Sequence, residues 1–513
     1  MPEQVFEMPS GAARRGNYSS IGAAVPEHPP DGDLLMGKIE PQLPVGVEEQ
    51  QHPASKLLFY RLKQTIGIDR AVAFTVLWRV WGAATGVVTL LFIAHFLTLT
   101  EQGYYYTFSS LVALQIVFEL GFSFVILQLA AHERAHLLIQ DDGSITGDRA
   151  AHSRLASVLQ KAVRWYTVGA LLMATALLPT GFYFFLVHRQ PGVPVYWKLP
   201  WIAAVLATTL TFQMGPLFAF LEGCGRIHQV ARMRLTQAVV GSLLAWTALS
   251  LHHGLFAPAM IIFGQAIAGG YFLFSQRSLL LPLLRYNTSI HAVSWRREIW
   301  PFQWRIAISY LSGYFIFQIF NPVLFAFRGA AEAGRMGMSL TITLGLSVVA
   351  IAWISTKASP FGILVARHEY ETLDRLFFRT LWQSTLLLIA GAVVVLLGLG
   401  CVTIRFPHLA ARVLPLPVFG LLLATILCNH VVYSEALYLR AHKREPFLWL
   451  SVAGGVLTAC STVFLGKLWG ATGVTIGYFC LTVTIGLGCG TYVFITKRRQ
   501  WHETAVFKES STL

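Results

Sequence analysis

Two arginines stand where a chain entering lipid would be expected to carry none. Arg79 follows Trp78 near the head of 71-AVAFTVLWRVWGAATGVVTLLFI-93, and Arg305 follows Trp304 near the head of 301-PFQWRIAISYLSGYFIF-317. An ionisable group inside a bilayer costs about 3 kcal/mol on insertion scales, so each is a candidate functional charge. The plainer reading is that each guanidinium snorkels to the interface beside its tryptophan anchor. Ser309 and Ser312 follow Arg305 at i+4 and i+7 and continue it as one polar stripe. After Arg79 comes 82-GAATG-86, small residues spaced for close helix approach.

Glu119 sits in the middle of 113-ALQIVFELGFSF-124, with Gln115 and Ser123 one turn away on the same face. A carboxylate at that depth can hold a proton or a cation inside a cavity. Read structurally, it would pair with Arg79 on the preceding antiparallel span. A second polar cluster, Asn429, His430, Tyr433 and Glu435, lies in 428-CNHVVYSEALYLR-440. Such a cluster is costly in lipid unless it lines a cavity or forms a network between helices. Within it, His430 fits a hydrogen-bonded core histidine better than a ligand. Gln318 and Asn321 precede Pro322, where a kink is expected.

These residues are carried by apolar runs. The chain has 513 residues, 55% hydrophobic and 12% charged, against about 25% charged in an ordinary soluble domain. Runs of roughly 20 apolar residues, enough to cross a bilayer, recur from about residue 72 to residue 496. Backbone polar groups in lipid must be satisfied within each segment, so the class is an all-α polytopic membrane protein. Twelve spans are read near 75–98, 107–130, 164–187, 200–221, 235–253, 256–276, 304–327, 334–356, 380–403, 414–438, 446–466 and 471–496. Residues 1–70 contain PEHPPDGD and PQLPVGVEEQQHP, a composition that predicts a disordered tail. Its end, 55-SKLLFYRLKQTIGIDR-70, has the mixture of a membrane-surface segment.

The net charge is +14. With both termini in the cytoplasm, the cytoplasmic loops carry twenty Lys and Arg and the external loops seven. That is the bias of the positive-inside rule, so the charge reads as topology and not as a nucleic-acid footprint. Six cysteines are scattered without a CxxC pair and read as packing residues. GxxxxGK[ST], HExxH and GxSxG are absent. Short external loops carrying only Glu101 and Glu332 weigh against a membrane-embedded glycan polymerase or transferase.

The chain also repeats itself. Trp78-Arg79 matches Trp304-Arg305, and 100-TEQG-103 matches 331-AEAG-334. Glu222 with 226-RIH-228 matches Glu435 with 440-RAH-442. The concordance predicts two pseudo-symmetric six-helix bundles, residues 71–285 and 286–496, with a cytoplasmic tail at 497–513. Six spans per unit makes the repeats parallel, an architecture in which a substrate path runs between them.

The segments 102-QGYYYTFSSLVALQIVFELGFSFVILQLAAHE-133 and 302-FQWRIAISYLSGYFIFQIFNPVLFAFRGAAEAGRMGMSLTI-342 resemble the polysaccharide and O-antigen flippases of the multidrug/oligosaccharidyl-lipid/polysaccharide (MOP) exporter superfamily. The resemblance implies a central cavity in the bacterial cytoplasmic membrane. Through it, a lipid-linked oligosaccharide on an isoprenoid pyrophosphate would move to the outer leaflet, alongside other polysaccharide-assembly proteins. It implies pyrophosphate contacts at Arg79 and Arg305, since guanidinium is always charged and grips phosphate through two donors. Ser309, Ser312, Gln318 and Asn321 would meet the glycan, with Glu119, Glu435 and His430 coupling or gating. No cofactor is implied, and the choice between H+, Na+ and no coupling ion stays open. The rival readings are a drug or small-cation exporter of the same superfamily, a glycan enzyme, and a sugar-porter facilitator. The last is weakened because 147-GDRAAHSR-154 matches the sugar-porter signature only loosely.

Overall fold

The structure is a computed structural model that describes residues 70–510 apart from 141, 189–193, 289–291 and 443. The proline-rich tail and the predicted surface segment at 55–70 fall outside the described residues, except for the backbone of Arg70. The described residues all fall within one compact unit.

The described chain is almost wholly helical. Its first part comprises α1 (Arg70–Phe96), α2 (Leu99–Val112), α3 (Gln115–Glu119) and α4 (Phe122–Arg134). A two-stranded hairpin, β1 (Leu137–Ile139) with β2 (Ile145–Gly147), then leads to α5 (Arg149–Val187), α6 (Lys198–Gly223), α7 (Ile227–Ser250), α8 (Ala257–Ser275) and α9 (Arg277–Arg285). A linker with a π-helical turn at Trp295–Ile299 opens the second part: α10 (Trp300–Phe317), α11 (Phe320–Arg328), α12 (Ala330–Ser355), α13 (Ala358–Ala366) and α14 (Tyr370–Arg405). Then follow α15 (Pro407–Ala410), α16 (Leu416–Ala441), α17 (Leu448–Leu481), a π-helical stretch at Thr482–Cys489, and α18 (Gly490–Ser510).

Among the described residues, eight helices are long and apolar enough to cross a membrane, or ten if each of two bent pairs is one span. Helices before residue 286 pack mainly on one another, as in α7 on α8, α1 on α7 and α5 on α6. Those after it do likewise, with α10 on α17, α11 on α12 and α14 on α16. The main crossing between the two groups is α2 on α12.

Two breaks shape the crossing region. The run read as one span at 107–130 is instead divided, because Leu120 (φ 52°) and Gly121 (φ 66°) adopt left-handed backbone and bend the chain by 45°. Glycine tolerates that conformation and leucine does so only under strain. A side chain at Gly121 would also strike Ile306 of α10. The second break bears out the kink expected before Pro322. Helix α10 ends at Phe317, α11 restarts at Phe320, and the two meet at 41°. Pro322 has no N–H to donate back to Gln318, so the helix cannot run through. Gly470 (φ 61°) likewise makes the turn that separates the spans read at 446–466 and 471–496.

Candidate functional site

At the end of the molecule bearing Thr98, Gly329 and Gly470, the helix groups are held together by backbone contact and one polar knot. Gly103 of α2 lies so close to α12 that a Cβ there would collide with the Ala330 carbonyl, and one at Gly334 would come within 2.8 Å of the Gly103 nitrogen. Next to this crossing Gln102 is fully buried. Its Nε2 donates to the carbonyls of Gly334 and Arg412, both at 2.9 Å, and its Oε1 accepts from Arg412 at 3.2 Å. Arg412 also donates to the Leu97 carbonyl at 2.7 Å. An amide in one group whose three hydrogen bonds all reach the other is costly to expose without replacements.

The repeat-related acids serve different ends. Glu101 closes a capping box with Thr98, whereas Glu332 accepts the Ala471 N–H at 2.6 Å and braces the Gly470 turn. Farther along the same seam, Asn321 Nδ2 donates to Ser110 Oγ at 3.0 Å and the Tyr314 hydroxyl donates to the Ser110 carbonyl at 3.2 Å.

Two cavities flank this seam. One, of about 360 Å³, lies among α1, α2, α7 and α8 and is closed on one side by Thr341 of α12. Gly82 and Gly86 border it with nothing within 4 Å of where a Cβ would stand. The GAATG stretch therefore opens a space and does not seat a neighbouring helix, which corrects the close approach expected of it. Trp81 donates to Ser242 at 3.3 Å and Trp246 to Thr89 at 2.9 Å, fixing α1 against α7. The other cavity, of about 280 Å³, lies among α10, α16, α17 and the π-helical stretch, with Asn429, Tyr433, Thr458 and Arg440 among mostly apolar walls. Its widened wall is a π-helix, a form often found at functional sites. Its mouth carries Arg440, which donates to Glu445 at 3.0 Å.

The residues singled out in the sequence do not converge. Arg79 is exposed, outside both cavities, and has no ion pair among the described residues, so the expected pair with Glu119 is not formed. Arg305 lies in α10, and its side chain is outside those described. Glu119 is half-buried at the end of α3, 3.4 Å from the Tyr166 hydroxyl, which in turn meets Ser123 at 2.7 Å. Ser309 lines the second cavity, but Ser312 turns its hydroxyl back to the Ile308 carbonyl at 2.8 Å and packs on Gly455, so the pair does not form one open stripe. Gln318 sits at the helix break. His430 is buried against Ser384 at 2.8 Å, as a core histidine would be. Glu435, 3% exposed, accepts from Thr491 at 2.8 Å. Both point into the packing of α16 with α14 and α18, away from the cavity that Asn429 and Tyr433 face. Among the described residues no group of three or more His, Cys, Asp or Glu could hold a metal ion.

Sequence reading missed Gln102, Arg412 and the first cavity's hydroxyls. The repeated TEQG and AEAG were the one available signal, since their glycines mark the crossing.

No protein-family model and no curated protein matches the chain. Solved structures do match. A multidrug resistance MATE family transporter of the MOP superfamily, inward-facing, aligns with TM-score 0.56 at 13% identity over 82% of this chain and 99% of that one. The lipid II flippase MurJ in an inward closed conformation gives TM-score 0.56 at 11% identity, over 85% and 90%. The chain has the MATE/MurJ-like fold. A MATE structure in a bent conformation agrees, at TM-score 0.54 and 12% identity over 85% and 96%. The matched structures are those of transporters and a flippase, not of enzymes.

Proposed function

We propose that this protein is a MOP-type alternating-access transporter that exports an amphipathic small molecule. The reading rests on one observation: two cavities, one in each helix group, flank a seam whose polar latch lies at the Thr98 end. Such an arrangement holds a substrate while denying access from that end, and rocking the groups would reverse it. It takes up twelve spans in two six-helix bundles. Ten become twelve by counting Ile227–Ser250, whose Arg232 and Arg234 lower its hydropathy, and by dividing Leu448–His502 at Gly470. The mostly apolar second cavity suits a drug-like body, since small-molecule sites are concave and largely apolar with a few placed polar groups.

A second reading is favoured by the exposed, unpaired Arg79. It is the flipping of an isoprenoid-pyrophosphate-linked oligosaccharide in a bacterial cytoplasmic membrane, both termini inside, with Arg79 and Arg305 meeting the pyrophosphate. Glu119, Glu435 and His430 would then act in coupling, and Gln318 and Asn321 at the bend between α10 and α11. One experiment separates the two. In cells lacking the protein but keeping their glycosyltransferases, lipid-linked glycan should stay accessible to an outer-leaflet probe while amphipathic dyes accumulate. Trapped, inaccessible glycan restored by the wild-type gene and not by Arg79→Ala would overturn the exporter in favour of the flippase.

A further inference from the structure

The first cavity has a chemistry of its own. Among the described residues no Lys, Arg, His, Asp or Glu lines it. Four of its hydroxyls commit their protons to backbone carbonyls one turn away: Thr85 to Trp81 at 2.9 Å, Ser109 to Tyr105 at 3.1 Å, Ser242 to Val239 at 2.9 Å, and Thr341 to Gly337 at 2.9 Å. What each offers the cavity is therefore acceptor capacity, reduced at Ser242 because it already accepts from Trp81. The amide of Gln265 makes no hydrogen bond among the described residues, so it presents both a donor and an acceptor to the space. Tyr106, 6% exposed, keeps its hydroxyl beside Thr341 without a well-formed bond. Its ring and that of Tyr105, 5.0 Å apart at 80°, supply the apolar wall.

A lining rich in acceptors selects a ligand rich in donors. A lining without a counter-charge disfavours an ion, because burying an unpaired charge is far costlier than burying a hydroxyl that finds a partner. We propose that this cavity binds the uncharged, hydroxyl-bearing end of an amphiphile, with a sugar-like polyol as its chemical class. Pyranose hydroxyls reach the acceptors and Gln265, and a pyranose C–H face lies on the tyrosines. The volume of about 360 Å³ admits such a group. The inference deepens the transport reading, but it is tested by binding alone, so either can fail without the other.

The test uses the full chain in lipid nanodiscs, titrated with three probes of equal tail length: octyl β-glucoside, octyltrimethylammonium and octyl phosphate. Calorimetry should show saturable binding of the glucoside and weaker binding of both ions. Gln265→Leu should weaken glucoside binding on the order of 5-fold, the loss of one neutral hydrogen bond. Gly86→Leu has open space beside it, so it should fold normally and abolish binding by filling the cavity. Tighter binding of the ammonium probe would overturn the proposal. So would glucoside binding that is absent from the wild type or unchanged in the folded Gly86→Leu protein.

Discussion

The two cavities differ in kind although each is enclosed by long helices of its own group. Around the first, hydroxyls, an amide and two tyrosines make a neutral, acceptor-rich space, and glycines stand open to it. Around the second, aliphatic and aromatic walls enclose a few polar groups, and the charge is gathered at the mouth, where Arg440 meets Glu445. The lesson is that each helix group opens a space, but the side chains lining it set what that space can recognise. The seam shows the same divergence. Gly103 and Gly334 form the two sides of one close crossing, while the preceding residue is a latch on one side, Gln102, and a packed alanine on the other, Ala333.

The most damaging way to break the comparison is to force the seam apart. Gly103→Val places a side chain against the Ala330 backbone, which cannot yield as a flexible side chain would. A loss of about 3 kcal/mol is expected for such overpacking, read as a lower melting temperature by size-exclusion fluorescence. Next in size is the latch. Arg412→Ala leaves Gln102 and the Leu97 carbonyl short of a donor, a cost of about 2 kcal/mol. In a cysteine-free background carrying Tyr105→Cys, it should also speed maleimide labelling from the Thr98 end, and unchanged labelling would remove the latch from the gating argument. Filling the second cavity sharpens the contrast. Gly454→Leu has nothing within 4 Å to meet, so stability should stay put. Efflux of an apolar dye from proteoliposomes should fall about 10-fold, the discrimination that shape alone gives an apolar pocket.

The spans were legible because a bilayer demands long apolar runs, and hydropathy reads those directly. The bend at Pro322 was legible for an equally local reason. The break at Leu120–Gly121 was not, since neither residue is polar or a proline, and the close approach of Ile306 to Gly121 appears only in the fold. Searching for charges in lipid drew the eye to Arg79, Glu119 and Glu435, none of which lines either cavity. The residues that do line them are mostly threonine, serine, tyrosine and glycine, which hydropathy cannot distinguish from packing. The latch joins residues 310 positions apart, a proximity that only folding discloses.

The smallest effect concerns the linker that joins the two groups, and it tests whether they are tethered at the basic end as well as along the seam. Arg154 Nη2 donates to Glu298 at 2.6 Å while its Nε donates to Glu133 at 2.8 Å, and Ser294 N–H donates to Glu298 at 2.8 Å. Burial pushes the Glu298 carboxyl up, but the Ser294 N–H and Arg154 outweigh it and hold the group below the usual carboxylate range. A carboxyl depressed in the folded state adds stability above its unfolded pKa, about 4.3. That contribution fades as pH falls through the lower, folded value. Glu298→Gln should therefore lower the melting temperature slightly at pH 7, and the gap from wild type should close as the pH drops below about 4. A gap that is constant with pH would mean the side chain acts through packing, leaving the seam as the tether that matters.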